Sequence, residues 1–146
     1  VTAQSILESG WGKSRVGRFN LFGITRGTGW KGKTVLVLTH EYFTTPDRTF
    51  SSSERVVSVC KVKNKRLWHY TVYRLFKDFD TLEDCLREHT RLLQKPGFAD
   101  AWPFRRDAEE FARRICDTPG SQSATSPDYL RMILLLIKSV RQICAK

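Results

Sequence analysis

The sequence predicts an α+β domain that is mainly helical and carries one small antiparallel sheet. Apolar residues recur at helical spacing at the start of the chain and over its second half, whereas β-branched and aromatic side chains concentrate at residues 34–75. The length agrees, since 146 residues suit one core that buries about two thirds of the unfolded surface. We therefore predict a single domain over residues 1–146, with a β-lobe over about 34–75.

The first predicted element is a short helix that stops at Gly10. Ile6 and Leu7 give this helix an apolar side, and a glycine is a typical stop signal, so Glu8 lies in the last turn. The negative end of the helix dipole and an aromatic neighbour such as Trp11 both disfavour an ionised carboxylate there. A carboxyl group that keeps its proton near neutral pH can act as a general acid. The alternative is a solvated glutamate at a helix end.

Three strands are predicted next, over residues 34–43, 55–63 and 66–73. Alternation along the first strand places Glu41 and Tyr42 on opposite sides. The other two strands form a hairpin with a two-residue turn at 64–65. The polar segment 44–54 is expected to be a mobile loop.

Helical spacing returns in the second half, where three helices are predicted, over residues 80–95, over 106–116 and from 127 onward. Asp80 is the expected N-cap of the first, with Glu83 three residues later as in a capping box. Ser126 is expected to cap the last helix, with Pro127 at its first position. The inner side of the last helix is expected to carry Tyr129, Met132, Ile133, Leu136, Val140 and Ile143.

The chain is strongly basic, with 25 lysines and arginines against 15 aspartates and glutamates and a formal net charge of +10. Such a field favours anionic partners, which include nucleic acid, anionic lipid surfaces and acidic cell-wall polymers. The basic residues are not interleaved with aromatic ones as in a recognised nucleic-acid module, so we expect no nucleic-acid partner. The apolar run at 132–137 is far too short to span a bilayer, and we expect no membrane insertion.

The spacing of cysteines and histidines does not indicate a metal site. Three of the four cysteines, Cys85, Cys116 and Cys144, fall on apolar stripes of predicted helices, so we expect buried free thiols rather than disulfides. The histidines lack the spacing of a ligand set; they are His40, His69 and His89. We expect neither a metal nor another cofactor.

Three motifs carry a family resemblance. Residues 3–14 read AQSILESGWGKS, and residues 20–24 read NLFGI. In tandem these runs resemble the catalytic signature of glycoside hydrolase family 73, the bacterial endo-β-N-acetylglucosaminidases. The run THEY at residues 39–42 resembles a strand motif in the β-lobe of that family. The resemblance implies a lysozyme-like fold and cleavage of the β-1,4 bond between N-acetylglucosamine and N-acetylmuramic acid in peptidoglycan.

The resemblance also implies roles for single residues. Glu8 would be the general acid, and Glu41 would be the second carboxylate, which supports an oxocarbenium-like centre or activates water. For Glu41 the alternative is a charge that protects an edge strand. Glu88 stands at the position of a further family carboxylate, with a structural ion pair as the alternative. Candidate substrate-binding residues, whose aromatic members could equally pack in the core, are Trp11, Asn20, Phe22, Trp30, Tyr42 and Ser123.

One position departs from the family pattern. Ser123 stands where the family carries a tyrosine that is thought to hold the substrate or the water. Either Tyr42 or Tyr70 supplies the phenol, or the enzyme is slower, or its substrate differs. A glycan-binding protein that has lost turnover is therefore the alternative to a hydrolase. Because peptidoglycan lies outside the cytoplasmic membrane, we expect export to the periplasm or the extracellular cell wall, and we expect a monomer.

Overall fold

The computed structural model describes residues 1–118 and 127–145. In chain order its elements are α1 (Thr2–Ser9), β1 (Thr34–Phe43), β2 (Arg55–Lys61), β3 (Trp68–Lys77), α2 (Leu82–Leu93), α3 (Ala108–Asp117) and α4 (Pro127–Cys144). Two single turns of 3-10 helix, Pro96–Phe98 and Trp102–Phe104, lie between α2 and α3. Helices combined with one small antiparallel sheet confirm the predicted α+β class.

The helices α1, α3 and α4 pack around an apolar core. Ala3 and Ala112 are small, so α1 and α3 approach α4 closely enough to bury Ile133 and Ile137. A second, separate cluster lies towards the end of α2, and its buried members are Leu93, Ala101, Phe111 and Ile115. The helical part of the molecule thus has two apolar clusters, and α1 packs on the first.

The predicted inner side of α4 is only partly right. Ile133 is buried as expected, but Met132 is 48% exposed and Ile143 is 60% exposed. The buried side chains of α4 are Ile133 and Ile137, which lie one helical turn apart on the same side of the helix. The predicted cap of α4, Ser126, lies outside the described residues.

The sheet has the strand order β1-β3-β2, with both neighbours antiparallel to β3. The first strand has the predicted bounds, and its side chains alternate between half-buried and exposed along its whole length. The predicted two-residue turn is wrong, because β2 ends at Lys61 and β3 begins only at Trp68. The intervening loop is closed by hydrogen bonds of Val62 to Leu67 and of Lys65 to Val62, with Asn64 in a left-handed conformation. β1 and β2 are the two edges of the sheet.

Residues 44–54 are tied to the sheet rather than free as their polar sequence suggested. The hydroxyl of Tyr70 donates to the carbonyl of Thr45 and accepts from the Arg48 N–H, both at 3.1 Å. The ring of Phe50 packs against Tyr70, with 5.8 Å between centroids. Polar backbone groups of this loop therefore have partners on the buried face of β3.

The helix boundaries differ from those predicted at three places. The cap of α2 is Thr81, whose hydroxyl accepts from the Asp84 N–H at 3.1 Å, because Asp80 is engaged by Lys33 at 2.7 Å. The same helix ends at Leu93 rather than at residue 95. The next helix begins one residue after Asp107, whose carboxylate accepts from two N–H groups of the first turn.

All four cysteines are free, which confirms free thiols. Cys85 is fully buried in a cluster with Ile24 and Phe79, whereas Cys116 is half-buried and Cys60 and Cys144 are exposed. Of the three cysteines that were expected to be buried, only Cys85 is fully buried.

Candidate active site

A sharp backbone reversal ends α1 directly after Glu8. Gly10 adopts a left-handed conformation (φ 54°, ψ 54°), and Trp11 and Gly12 follow with φ of 62° and 79°. The buried Ser9 braces this reversal, since its hydroxyl donates to the Ser5 carbonyl at 2.5 Å and accepts from the Gly12 N–H at 2.8 Å. A left-handed backbone is rare for a residue as bulky as tryptophan, so the conformation of Trp11 is imposed by its surroundings.

The reversal leaves both Glu8 and Trp11 open to solvent. The side chain of Glu8 is exposed, and Trp11 is 61% exposed. No residue in the described part of the chain forms an ion pair with Glu8. The apolar surroundings expected for Glu8 are therefore not found; Phe22 instead packs against His89, with ring centroids 3.7 Å apart.

Asn20 joins the loop after α1 to the end of β3. It is completely buried, and its amide donates to the carbonyls of Ile24 and Lys77 while its oxygen accepts from the Ile24 N–H, all at 2.9 Å. Both amide hydrogens are thus engaged by the protein. Asn20 shapes the loop, and it offers no free N–H group to a ligand.

Trp30 lies over a buried ion pair. The ammonium group of Lys77 is 4.4 Å from the centre of the Trp30 ring and pairs with the carboxylate of Glu88. Hydrogen bonds from Arg91 at 2.7 and 2.8 Å, together with the Lys77 contact, outweigh burial and lower the pKa of Glu88 to about 2. Glu88 is therefore an ionised structural group, which supports the structural alternative for this residue.

One face of Trp30 is covered by Lys77, and the ring Nε1 donates to the carbonyl of Lys33 at 3.0 Å. A surface cavity of about 340 Å³ adjoins it, lined also by Phe79, Asp80 and Arg87. Trp30 can thus offer a ligand only the part of its surface that faces this cavity.

His89 is a half-buried histidine that contacts the loop after α1 through Phe22. Burial lowers the pKa of His89 to about 4, so it is neutral near pH 7. Its buried Nε2 has no hydrogen-bond partner within the described ranges. The ring stacks on Phe22, and this contact connects α2 to the segment that follows Glu8.

Glu41 lies on edge strand β1 with only 16% of its side chain exposed. Its Oε1 is 3.2 Å from Nη1 of Arg74 and 3.4 Å from the hydroxyl of Thr39. The adjacent Tyr42 points to the opposite face, where it is 59% exposed and packs against His69 at 5.0 Å. The structure therefore separates Tyr42 from Glu41, as the predicted alternation requires.

The two tyrosines considered as substitutes for the missing family tyrosine differ in access. Tyr70 is 1% exposed, and its hydroxyl is engaged by residues 45 and 48. Tyr42 is open to solvent but on the face away from Glu41. Ser123 itself lies outside the described residues.

Arg74 and Glu54 are the site residues that sequence reasoning missed. Arg74 Nε is 3.4 Å from Glu54 Oε1, while its Nη1 contacts Glu41. The alternation of β3 was a usable signal, because it puts Arg74 on the same face as buried Tyr70 and Val72, where a cation needs an acidic partner.

The exposed face of the sheet carries a second group that the sequence did not reveal. His40 Nδ1 lies 3.1 Å from His69 Nε2, and Cys60 Sγ lies 3.7 Å from Nδ1 of the same His69.

In the part of the chain that the structure covers, no three metal-ligating side chains converge. Within the same residues, no helix is both long and apolar enough to cross a membrane.

Comparisons with known proteins agree with this architecture. Peptidoglycan hydrolase FlgJ of Escherichia coli K12 and that of E. coli O157:H7 are each 27% identical to this chain over 152 residues. These matches cover 100% of this chain and 41% of each relative, so the chain spans about two fifths of their length.

Two solved structures share the fold. A peptidoglycan hydrolase mutant from Sphingomonas sp. A1 has a TM-score of 0.61 at 24% identity, over 96% of this chain and 79% of the other. A C-terminally truncated glycoside hydrolase domain of FlgJ from Salmonella typhimurium has a TM-score of 0.63 at 22% identity, over 97% and 81%. The model of the Glucosaminidase family, described as mannosyl-glycoprotein endo-beta-N-acetylglucosaminidase, matches residues 1–142. Because this match takes in nearly the whole sequence, the chain belongs to the Glucosaminidase family of glycoside hydrolases.

Proposed function

We propose that this chain hydrolyses peptidoglycan at the β-1,4 bond between N-acetylglucosamine and N-acetylmuramic acid. Glu8 is the proton donor, and Glu41 is the second carboxylate. The observation that carries the proposal is the exposed carboxyl group of Glu8 at a helix end built from three consecutive left-handed residues, within a chain of the Glucosaminidase family. The curated relatives, both named peptidoglycan hydrolases, support the choice of substrate.

The exposure of Glu8 gives its carboxyl group access to a bound glycan. A general acid must reach the glycosidic oxygen, and Glu8 is exposed with no ion-pair partner among the described side chains. The backbone reversal holds Trp11 beside it with most of its ring in solvent. A flat aromatic surface next to an acid can stack a sugar ring and bring the glycosidic oxygen to the carboxyl group.

Glu41 has the opposite character and suits an electrostatic role. Its contact with Arg74 fixes the position of the carboxyl group, from which it can support positive charge at the anomeric carbon or activate water. Three of the other predicted residues have supporting roles in this proposal. Asn20 fixes the loop after α1, Phe22 packs against His89, and Trp30 borders a surface cavity.

The proposed location of the protein follows from its proposed substrate. Peptidoglycan lies outside the cytoplasmic membrane, so the protein works in the periplasm or the cell wall after export. The net charge of +10 favours residence on an anionic wall. We propose that it acts there as a monomer.

The test is digestion of purified peptidoglycan by the parent protein, by Glu8→Gln and by Glu83→Gln, an exposed glutamate of α2 as the matched control. Released fragments are reduced with borohydride, and their reducing ends are identified by mass spectrometry. We expect reduced N-acetylglucosamine from the parent and the control and none from Glu8→Gln. Reduced N-acetylmuramic acid would correct the bond, and fragments from none of the proteins would favour the glycan-binding alternative.

A further inference from the structure

Arg74 bridges two carboxylates on the covered face of the sheet. Its Nη1 is 3.2 Å from Glu41 Oε1, and its Nε is 3.4 Å from Glu54 Oε1. The exposed fractions of the three side chains are 21% for Arg74, 16% for Glu41 and 10% for Glu54. One guanidinium, with its donors in a fixed plane, thus fixes the distance between the proposed catalytic carboxylate and a second acid.

Glu54 is the anchored end of this bridge. Its carboxylate accepts from the Leu75 N–H at 3.0 Å and from the N–H and hydroxyl of Ser51 at 3.1 and 3.0 Å. Burial alone would raise the pKa of Glu54, but these hydrogen bonds and the charge of Arg74 outweigh it and lower the pKa. Glu54 therefore stays ionised, and it is fixed both to β3 and to the loop that precedes β2.

The route of the Arg74 side chain shows that the contact with Glu41 is not a simple cross-strand pair. The residue opposite Arg74 is Val37, and the residue opposite Glu41 is Tyr70. The guanidinium therefore reaches along the sheet, past Val72, to touch Glu41. Such an extended side chain needs a second contact to hold its direction, and Glu54 provides one.

The contacts of Glu41 all fall on one of its two oxygens. Both Arg74 and the Thr39 hydroxyl approach Oε1. Its Oε2 has no partner within residues 1–118 and 127–145, and it is not among the buried polar atoms that lack one, so solvent reaches it. Arg74 and Thr39 therefore hold Oε1, whereas Oε2 is open to solvent.

We infer that Arg74 is a positioning residue, which holds Oε1 of Glu41 so that Oε2 faces the substrate, and that Glu54 in turn holds Arg74. This inference rests on the proposed role of Glu41. Arg74 touches neither the glycan nor the reacting atoms. Its contribution is to keep the carboxylate in one orientation, which raises the rate of the chemical step without adding a substrate contact.

The test measures kcat and KM on soluble glycan strands for the parent, Glu41→Gln, Arg74→Gln, Arg74→Lys and Glu54→Gln. The matched control is Arg55→Gln, since Arg55 lies on the other face of the sheet over the ring of Tyr73. Thermal unfolding of each variant sets a temperature at which all are folded. We expect Arg74→Gln to lower kcat by about ten- to a hundredfold with KM changed less than about twofold. Arg74→Lys, which cannot bridge both acids, should fall between Arg74→Gln and the parent, and Glu54→Gln should lose less than Arg74→Gln.

The outcomes distinguish a failure of the proposed function from a failure of the positioning role of Arg74. An inactive parent would overturn the proposed function and this inference together. A Glu41→Gln variant with parental kcat would overturn the role proposed for Glu41, and this inference with it. An active parent, an impaired Glu41→Gln and an Arg74→Gln with parental kcat would overturn this inference alone, as would a loss confined to KM. If Arg74→Gln does not fold, Arg74→Lys and Glu54→Gln carry the test, and parental kcat in both would overturn the inference.

Discussion

The end of α1 and the covered face of the sheet position their glutamates in opposite ways. Glu8 is placed by backbone alone, through the left-handed residues that follow it, and its carboxyl group is exposed. Glu41 is placed by its side chain, which is mostly covered and held by Arg74. The difference predicts that catalysis and stability are separable at Glu8 and coupled at Glu41.

The largest effect is expected from Glu8→Gln. Without an acid, protonation of the leaving oxygen is lost, and kcat should fall about a thousandfold. The free energy of unfolding should change by less than about 0.5 kcal/mol, because the side chain is exposed and makes no described ion pair. Kinetics on soluble glycan strands and urea unfolding measure the two quantities. A clear loss of stability would show that Glu8 is held by its surroundings, and the contrast with Glu41 would then fail.

Glu41→Gln should lower both kcat and the free energy of unfolding. We expect kcat to fall about a hundredfold, since the electrostatic support is lost. The free energy of unfolding should fall by about 1 kcal/mol, because a half-buried charged hydrogen bond to Arg74 is weakened. The control is Glu109→Gln, whose carboxylate pairs with the exposed Arg141 at 2.7 Å and should contribute less than about 0.5 kcal/mol. Equal losses of stability in the two variants would contradict a special role for the covered ion pair.

The sequence was sufficient for several features whose cause is local. Gly10 ends α1 as predicted, and the alternation of β1 gave both its bounds and the opposite directions of Glu41 and Tyr42. The contacts that complete the site join distant residues and were not predictable in this way. Glu54 and Arg74 lie 20 residues apart, and Asn20 and Lys77 lie 57 apart.

The N-cap of α2 was predicted wrongly for a related reason. Asp80 and Thr81 are both good N-caps, and the choice between them depends on Lys33, which lies 47 residues from Asp80. The sequence left two alternatives for Glu8, an aromatic environment or a solvated helix end, and the structure has it exposed. The left-handed backbone turns Trp11 into solvent, and Phe22 packs against His89 instead.

Two titratable residues of α2, His89 and Glu88, predict how stability responds to acid. His89, which packs on Phe22, has its pKa lowered to about 4 from 6.5, so between these values the unfolded chain binds more protons than the folded one. Stability should therefore be full above pH 6.5 and fall by about 3 kcal/mol as the pH drops to 4. Glu88, lowered from 4.5 to about 2, should add a further loss below pH 4.5.

The measurement is urea unfolding at a series of pH values. The non-titrating variant His89→Gln should flatten the fall between pH 6.5 and 4, and Glu88→Gln should flatten only the fall below pH 4.5. An unchanged slope in His89→Gln would show that another group controls acid stability. It would also mean that the contact between α2 and the segment after Glu8 is insensitive to protonation.

The smallest effect is expected from Gly10→Ala, which tests whether the backbone alone places Glu8. A Cβ at this position would meet nothing within 4 Å, so the cost is the left-handed backbone itself, about 1 kcal/mol. The control is Gly97→Ala, where the space is equally open and φ lies outside the left-handed region, and the expected change is below about 0.5 kcal/mol. If the helix end relaxes to relieve the strain, Glu8 moves with it, and kcat should fall several-fold although the enzyme is folded. Loss of stability with parental kcat would instead mean that Glu8 keeps its place without the glycine, and that contacts of α1 with α4 are sufficient to position the acid.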